Sequence, residues 1–182
     1  MATALIIVDV QNDYFPGGSM ELVGMEAAAD NCARLLQSFR AAAQPLFHIQ
    51  HLATRPGATF FVPDTPGCEI NARVKPGDGE PVVVKHFPSA FRETELHERL
   101  QSDDVDELVI CGAMTHMCID TTVRAAFDLG YKCHVIADAC ATRDLAFDQH
   151  PVAAADVQAT FMAALGMPFA QITSSAQWLQ DH

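Results

Sequence analysis

The chain has 182 residues, 49% of them hydrophobic and 19% charged. That length suits one α/β domain, read here as 1–182, and the apolar fraction is ample for a core, which excludes global disorder. Eleven Lys and Arg against 23 Asp and Glu leave a net charge of -12, a surface that repels phosphate backbones and anionic lipid, so no nucleic-acid or membrane partner is expected.

Ala4 to Val8 is an unbroken apolar run ending at Asp9, the pattern of a strand buried on both faces of a parallel sheet. The Ala-rich stretch from Glu26 to Ala43, with Leu35, Leu36 and Phe39 at helical spacing, predicts a helix, and 45–49 a second strand. A long irregular stretch from Thr54 to Glu80 holds four of the ten prolines; loops of that length in compact domains are usually functional or mobile. Val82 to Val84 predicts a third strand ending in Lys85, followed by a helix near Thr94 to Leu100. Leu108 to Cys111 predicts a fourth strand ending at Gly112, then a helix from Met117 to Leu129, stopped by Gly130. His134 to Ala137 is a fifth strand, a helix runs from about Val152 to Leu165, and Phe169 to Ile172 is a sixth strand. Ser174 to Gln177 has the form of a capping box opening a short final helix. The βα alternation predicts an α/β fold with three α/β/α layers and a doubly wound, mainly parallel six-stranded, Rossmann-like sheet.

Neither a basic leader nor an apolar segment of membrane length is visible, and the six cysteines include no Cys-x-x-Cys pair. The expectation is a cytoplasmic chain with reduced thiols. Five of the six cysteines read as small buried hydrophobes.

Ligands of open α/β sheets bind at the carboxyl ends of strands. Asp9, Lys85 and the segment 112–118 all lie at that edge, and an Asp and a Lys there supply each other's partner. Position alone leaves a structural ion pair and a functional site both open. Cys118 tips the balance. At the start of a helix its thiolate is stabilised by unsatisfied N–H groups, and a nearby Lys85 lowers the thiol pKa further. Asp9 then serves as general base, and the N–H groups of the helix start as oxyanion donors.

These residues also carry a resemblance. Ile6-Ile7-Val8-Asp9-Val10-Gln11-Asn12-Asp13-Tyr14-Phe15, then Val84-Lys85 with Ser89-Ala90-Phe91, then Cys111 to Arg124 around Cys118 resemble the three motifs of the isochorismatase-like cysteine hydrolases, in order and across most of the chain. The resemblance implies a catalytic triad of Asp9 as base, Lys85 as activating cation and Cys118 as nucleophile. It implies a cis peptide at Ala113–Met114 beside the oxyanion site, a sheet order of 3-2-1-4-5-6, no cofactor, and a homodimer or homotetramer. The activity expected from it is hydrolysis of a C–N bond in a small amide or carbamoyl substrate through a thioester.

The sequence departs from two better-known branches. True isochorismatases carry Gly at the position of Cys118. Nicotinamidases carry an Asp-x-His metal motif where this chain has His51-Leu52-Ala53, so no metal is expected and a nicotinamidase-type amidase is the weaker alternative. The other alternative is a catalytically retired, ligand-binding or scaffold member. Phe15, His51, Phe60 and His116 are the further residues expected near substrate, against the plainer reading of aromatic and histidine side chains as core.

Overall fold

The first apolar run forms the middle of the sheet. In the computed structural model, which describes residues 2–182, β1 (Ala2–Val8) lies between β2 (Leu46–His51) and β4 (Val105–Ala113), parallel to both. β3 (Val82–Lys85) pairs with β2, and β5 (Lys132–Ala141) with β4. A separate antiparallel hairpin of β6 (Leu145–Phe147) and β7 (His150–Val152) follows. β8 (Gln171–Thr173) then closes the sheet beside β5, giving the parallel order β3-β2-β1-β4-β5-β8. This is the doubly wound α/β order that the resemblance implies, with β8 as the sixth strand.

Alternation along β1 explains the three layers. Leu5 and Ile7 pack on one face with Leu35, Leu36 and Phe39 of α1 (Met25–Ala41). Ala4, Ile6 and Val8 pack on the other with Leu96 and Leu100 of α2 (Leu96–Ser102), Val123 and Ala126 of α3 (Asp120–Asp128), and Met162 and Leu165 of α4 (Ala154–Leu165). With period-2 side chains, a strand apolar at every position must be covered twice. α5 (Ser175–Asp181) completes the α1 side through Trp178, and Ser174 caps it by accepting a hydrogen bond from the Gln177 N–H.

Several elements differ from the sequence reading; β5 is longer, Lys132–Ala141 against 134–137, and β8 lies at Gln171–Thr173 against 169–172. β4 runs on to Ala113, two residues past the apolar run, because Gly112 and Ala113 still pair with β5. The helix expected from Met117 instead begins at Asp120, behind one wide, π-type turn over Thr115–Ile119. The hairpin of β6 and β7 has no counterpart in the sequence reading. No helix among the described residues is long and apolar enough to cross a membrane.

Candidate active site

β1 ends at Val8, and Asp9 leaves the strand with φ +50°, a left-handed value that costs a non-glycine residue about 1–2 kcal/mol. Beside it β4 approaches β1 so closely that a Cβ on Gly112, at φ +121°, would stand 1.9 Å from the Val8 carbonyl oxygen. Only glycine fits there. The next peptide, Ala113–Met114, is cis, as the resemblance implies. The wide turn after it brings the Cys118 sulfur to within 4.8 Å of an Asp9 carboxylate oxygen.

Lys85 reaches the same point from two strands away. On β3 it shares a face with Val83, the α2 and α3 side of the sheet, and it lies in register with His51, where β2 ends. Its stem therefore crosses over the end of β2. The ammonium donates hydrogen bonds to His51 Nδ1 (3.0 Å), the Phe87 carbonyl (3.1 Å) and Cys118 Sγ (3.3 Å), and stands 2.8 Å from Asp9 Oδ2. Its three protons are thus directed elsewhere, and neither carboxylate oxygen of Asp9 receives an aligned hydrogen bond. Asp9 and Lys85 are fully buried and Cys118 is 2% exposed.

Burial governs the charges. It pushes the Asp9 carboxyl up, with Lys85 opposing. Burial also disfavours the Lys85 ammonium, but Asp9 and Cys118 outweigh it and hold the lysine protonated. The Cys118 thiol corrects the sequence reading. Burial, reinforced by the Asp9 charge, pushes it well above the ordinary thiol value, and Lys85 offsets only part of the rise. The turn ahead of α3 lies in the interior, where desolvation outweighs the help expected from a helix start. One ammonium balances one negative charge, so Asp9 and Cys118 hold a single proton between them. Moving it from sulfur to carboxylate creates a thiolate–ammonium pair without changing the net charge.

Of the other expected residues, His51 is in the site. Burial and Lys85 push its pKa down to about 3, so the ring is neutral. Because Nδ1 accepts from Lys85, Nε2 carries the hydrogen. Phe60 belongs to an aromatic wall with Tyr14 and Phe61, ring centroids 4.6–6.2 Å apart, and His51 stands 5.8 Å from Phe61. Phe15 is buried in the α1 core with Arg73 over its ring, and His116 bonds Thr142 Oγ1 and packs on Phe161. Neither of these two is joined to the Asp9, Lys85 and Cys118 group by a hydrogen bond or ion pair.

Sequence reasoning missed a clamp. Gln11 exchanges two hydrogen bonds with the His51 backbone and donates a third to the Cys68 carbonyl. Asn12 ties Pro66 and Glu69, and Asp13 accepts from the backbone N–H of Phe61 and Ser19. Gly67 passes so near that a Cβ would meet the Asp13 carboxylate at 2.2 Å. Three consecutive polar residues just past the buried end of β1 are the available signal: together they bond the backbone of Phe61, Pro66, Cys68 and Glu69 in the long loop.

Asp9, His51 and Cys118 are the residues able to offer metal-ligand atoms together among those described. The ammonium of Lys85 stands among them.

The Isochorismatase domain model matches residues 3–177. The isochorismatase family protein YddQ of Bacillus subtilis is 47% identical over 180 residues, spanning 99% of this chain and all of that one. N-carbamoylsarcosine amidase of Arthrobacter is 30% identical over 146 residues, 71% of this chain and 55% of that one. A crystal structure of an isochorismatase-type protein from Oleispira antarctica superposes with a TM-score of 0.95 at 46% identity, covering 98% of this chain and 96% of its own. With the sheet order, the cis peptide and the three motifs already in place, these similarities over nearly the full length mean that the chain belongs to the isochorismatase family of hydrolases.

Proposed function

We propose that the chain is a cofactor-independent cysteine hydrolase acting on a C–N bond of a small amide or carbamoyl compound. The observation that carries this reading is the convergence of a carboxylate, an ammonium and a thiol in a buried site, with Lys85 Nζ 2.8 Å from Asp9 Oδ2 and 3.3 Å from Cys118 Sγ. A buried ammonium and carboxylate are costly to desolvate, and a scaffold protein has no use for a thiol between them. A relative described as an N-carbamoylsarcosine amidase supports the choice of bond.

In this mechanism Asp9 takes the Cys118 proton and the thiolate, paired with Lys85, attacks the carbonyl carbon. The backbone N–H groups of Met114 and Cys118 receive the oxyanion. Protonated Asp9 passes its proton to the leaving nitrogen, the C–N bond breaks, and ammonia or an amine departs from a Cys118 thioester. Water then gives a proton to Asp9 and its oxygen to the acyl carbon. The acid leaves and Cys118 recovers its proton. His51, fixed with Nε2–H outward from Lys85, and the Tyr14, Phe60 and Phe61 wall line the substrate side.

The six cysteines are free and buried, which supports a reducing, cytoplasmic setting. A homodimer or homotetramer is part of the same reading, and the 81% exposed Phe147 and Met167 are apolar side chains that contact between subunits would cover. Sedimentation as a monomer at micromolar concentration contradicts it. The test of function is a screen of small amides and ureas for ammonia release, with Cys118→Ala as control. Activity that depends on Cys118 is expected; a variant as active as the parent overturns the assignment.

A further inference from the structure

We propose that the Lys85 ammonium holds the position of a divalent cation in a three-ligand Asp–His–Cys site, and that its presence keeps zinc-type ions out. A carboxylate oxygen of Asp9, a ring nitrogen of His51 and the sulfur of Cys118 lie within 4.8 Å of one another. Lys85 Nζ is 2.8, 3.0 and 3.3 Å from these groups in turn. The ammonium therefore contacts all three donors at once, as a bound ion does.

The donor set is the right one for a borderline-soft ion. One thiolate, one imidazole and one carboxylate with a remaining open position match the pattern of catalytic zinc, whose bonds of about 2.0–2.3 Å place ligands roughly 3.3–3.8 Å apart. Closing the present group onto such an ion takes a contraction of about 1 Å. His51 offers Nδ1, and both oxygens of Asp9 lack an aligned donor. What stands in the way is the lysine, through its volume at the centre and its charge. A divalent ion would have to expel the ammonium into a fully buried surrounding or accept a like charge at contact distance. Lys85 thus has a task separate from acting on the thiol: it makes the site refuse metals that its other three side chains would bind.

The test is metal binding by the full chain, read without turnover. Wild type, Lys85→Ala and Lys85→Ala/Cys118→Ala are titrated with cobalt(II) and with zinc(II). Lys85→Ala is expected to bind either ion at least about 100-fold more tightly than wild type, as removal of a like charge at contact distance implies. Its cobalt form should show a near-ultraviolet thiolate-to-cobalt band that the double variant lacks. Equal affinity of wild type and Lys85→Ala, or binding that survives loss of Cys118, overturns the proposal. Should Lys85→Ala fail to fold without metal, zinc must restore a cooperative thermal transition to it and not to the double variant; absence of that rescue also overturns it. Because the readout is binding, failure here leaves the hydrolase reading standing, and an inactive enzyme leaves this one standing.

Discussion

Lys85, two strands away from Asp9 in the sheet, places its ammonium 2.8 Å from the Oδ2 of that carboxylate, with both side chains fully buried. A pair of this kind adds little stability over an apolar one, but removing one partner strands the other charge at a cost of about 3–5 kcal/mol. Lys85→Met should therefore lower the unfolding free energy by about 3 kcal/mol at neutral pH, raise the Cys118 thiol further, and slow its alkylation. Asp9→Asn removes a negative neighbour, so the thiol should fall or stay, while turnover drops by about 10²–10⁴ for want of a base. The two variants part company in the pH profile of Cys118 alkylation. An unchanged profile in Lys85→Met would reduce that lysine to a structural charge.

His51 carries a pH dependence with a definite sign. Its pKa is about 3 in the folded chain against about 6.5 for an imidazole in water. The unfolded chain therefore binds the extra proton between these values. The stability that His51 contributes is complete above about 6.5 and is lost as pH falls from there toward 3, at up to roughly 1.4 kcal/mol per pH unit. His51→Gln should flatten the acid limb of a stability-against-pH curve in that window. An acid limb of unchanged slope would mean that another group carries it.

Gln11 holds His51 and the long loop with three hydrogen bonds at 2.8–2.9 Å. Gln11→Ala leaves two backbone carbonyls and one N–H without those partners, at about 1–3 kcal/mol for each group left unsatisfied. The expected result is a cooperative transition at lower denaturant and a reduced kcat, since His51 is no longer fixed. Wild-type stability in Gln11→Ala would rule out the clamp.

The sheet is legible in the sequence where apolar runs are unbroken, as at 4–8 and 108–111, because a strand covered on both faces needs no polar side. The hairpin of β6 and β7 is illegible for the opposite reason: Leu145–Phe147 and His150–Val152 are too short for a period, and a proline sits in the second. Asp9 and Lys85 stand out as charged residues at strand ends and Cys118 as a thiol at a helix start, and their motifs carry the resemblance. The clamp does not stand out, since Gln11 and Asp13 bond backbone groups up to 57 residues away, and any side chain can stand at the far end of such a bond. The thiol is misjudged because helix-start position says nothing of depth, and at 2% exposure desolvation decides.

Metal independence is expected from Lys85 standing among the ligand-type groups and from Ala53, where nicotinamidases carry the His of their metal motif. Prolonged chelation should leave ammonia release from any amide found in the screen unchanged. Loss of turnover that zinc or iron restores would contradict it.

In the proposed reaction Cys118 forms a covalent acyl intermediate. The direct measurement is acid-quenched intact-protein mass spectrometry during turnover of an amide identified by ammonia release, with peptide mapping of the adduct. The expected result is an added mass equal to the acyl group, located on Cys118, chased away by continued incubation and absent in Cys118→Ala. Steady release of ammonia by Cys118→Ala at the wild-type rate, or an adduct mapped to another residue, would contradict it.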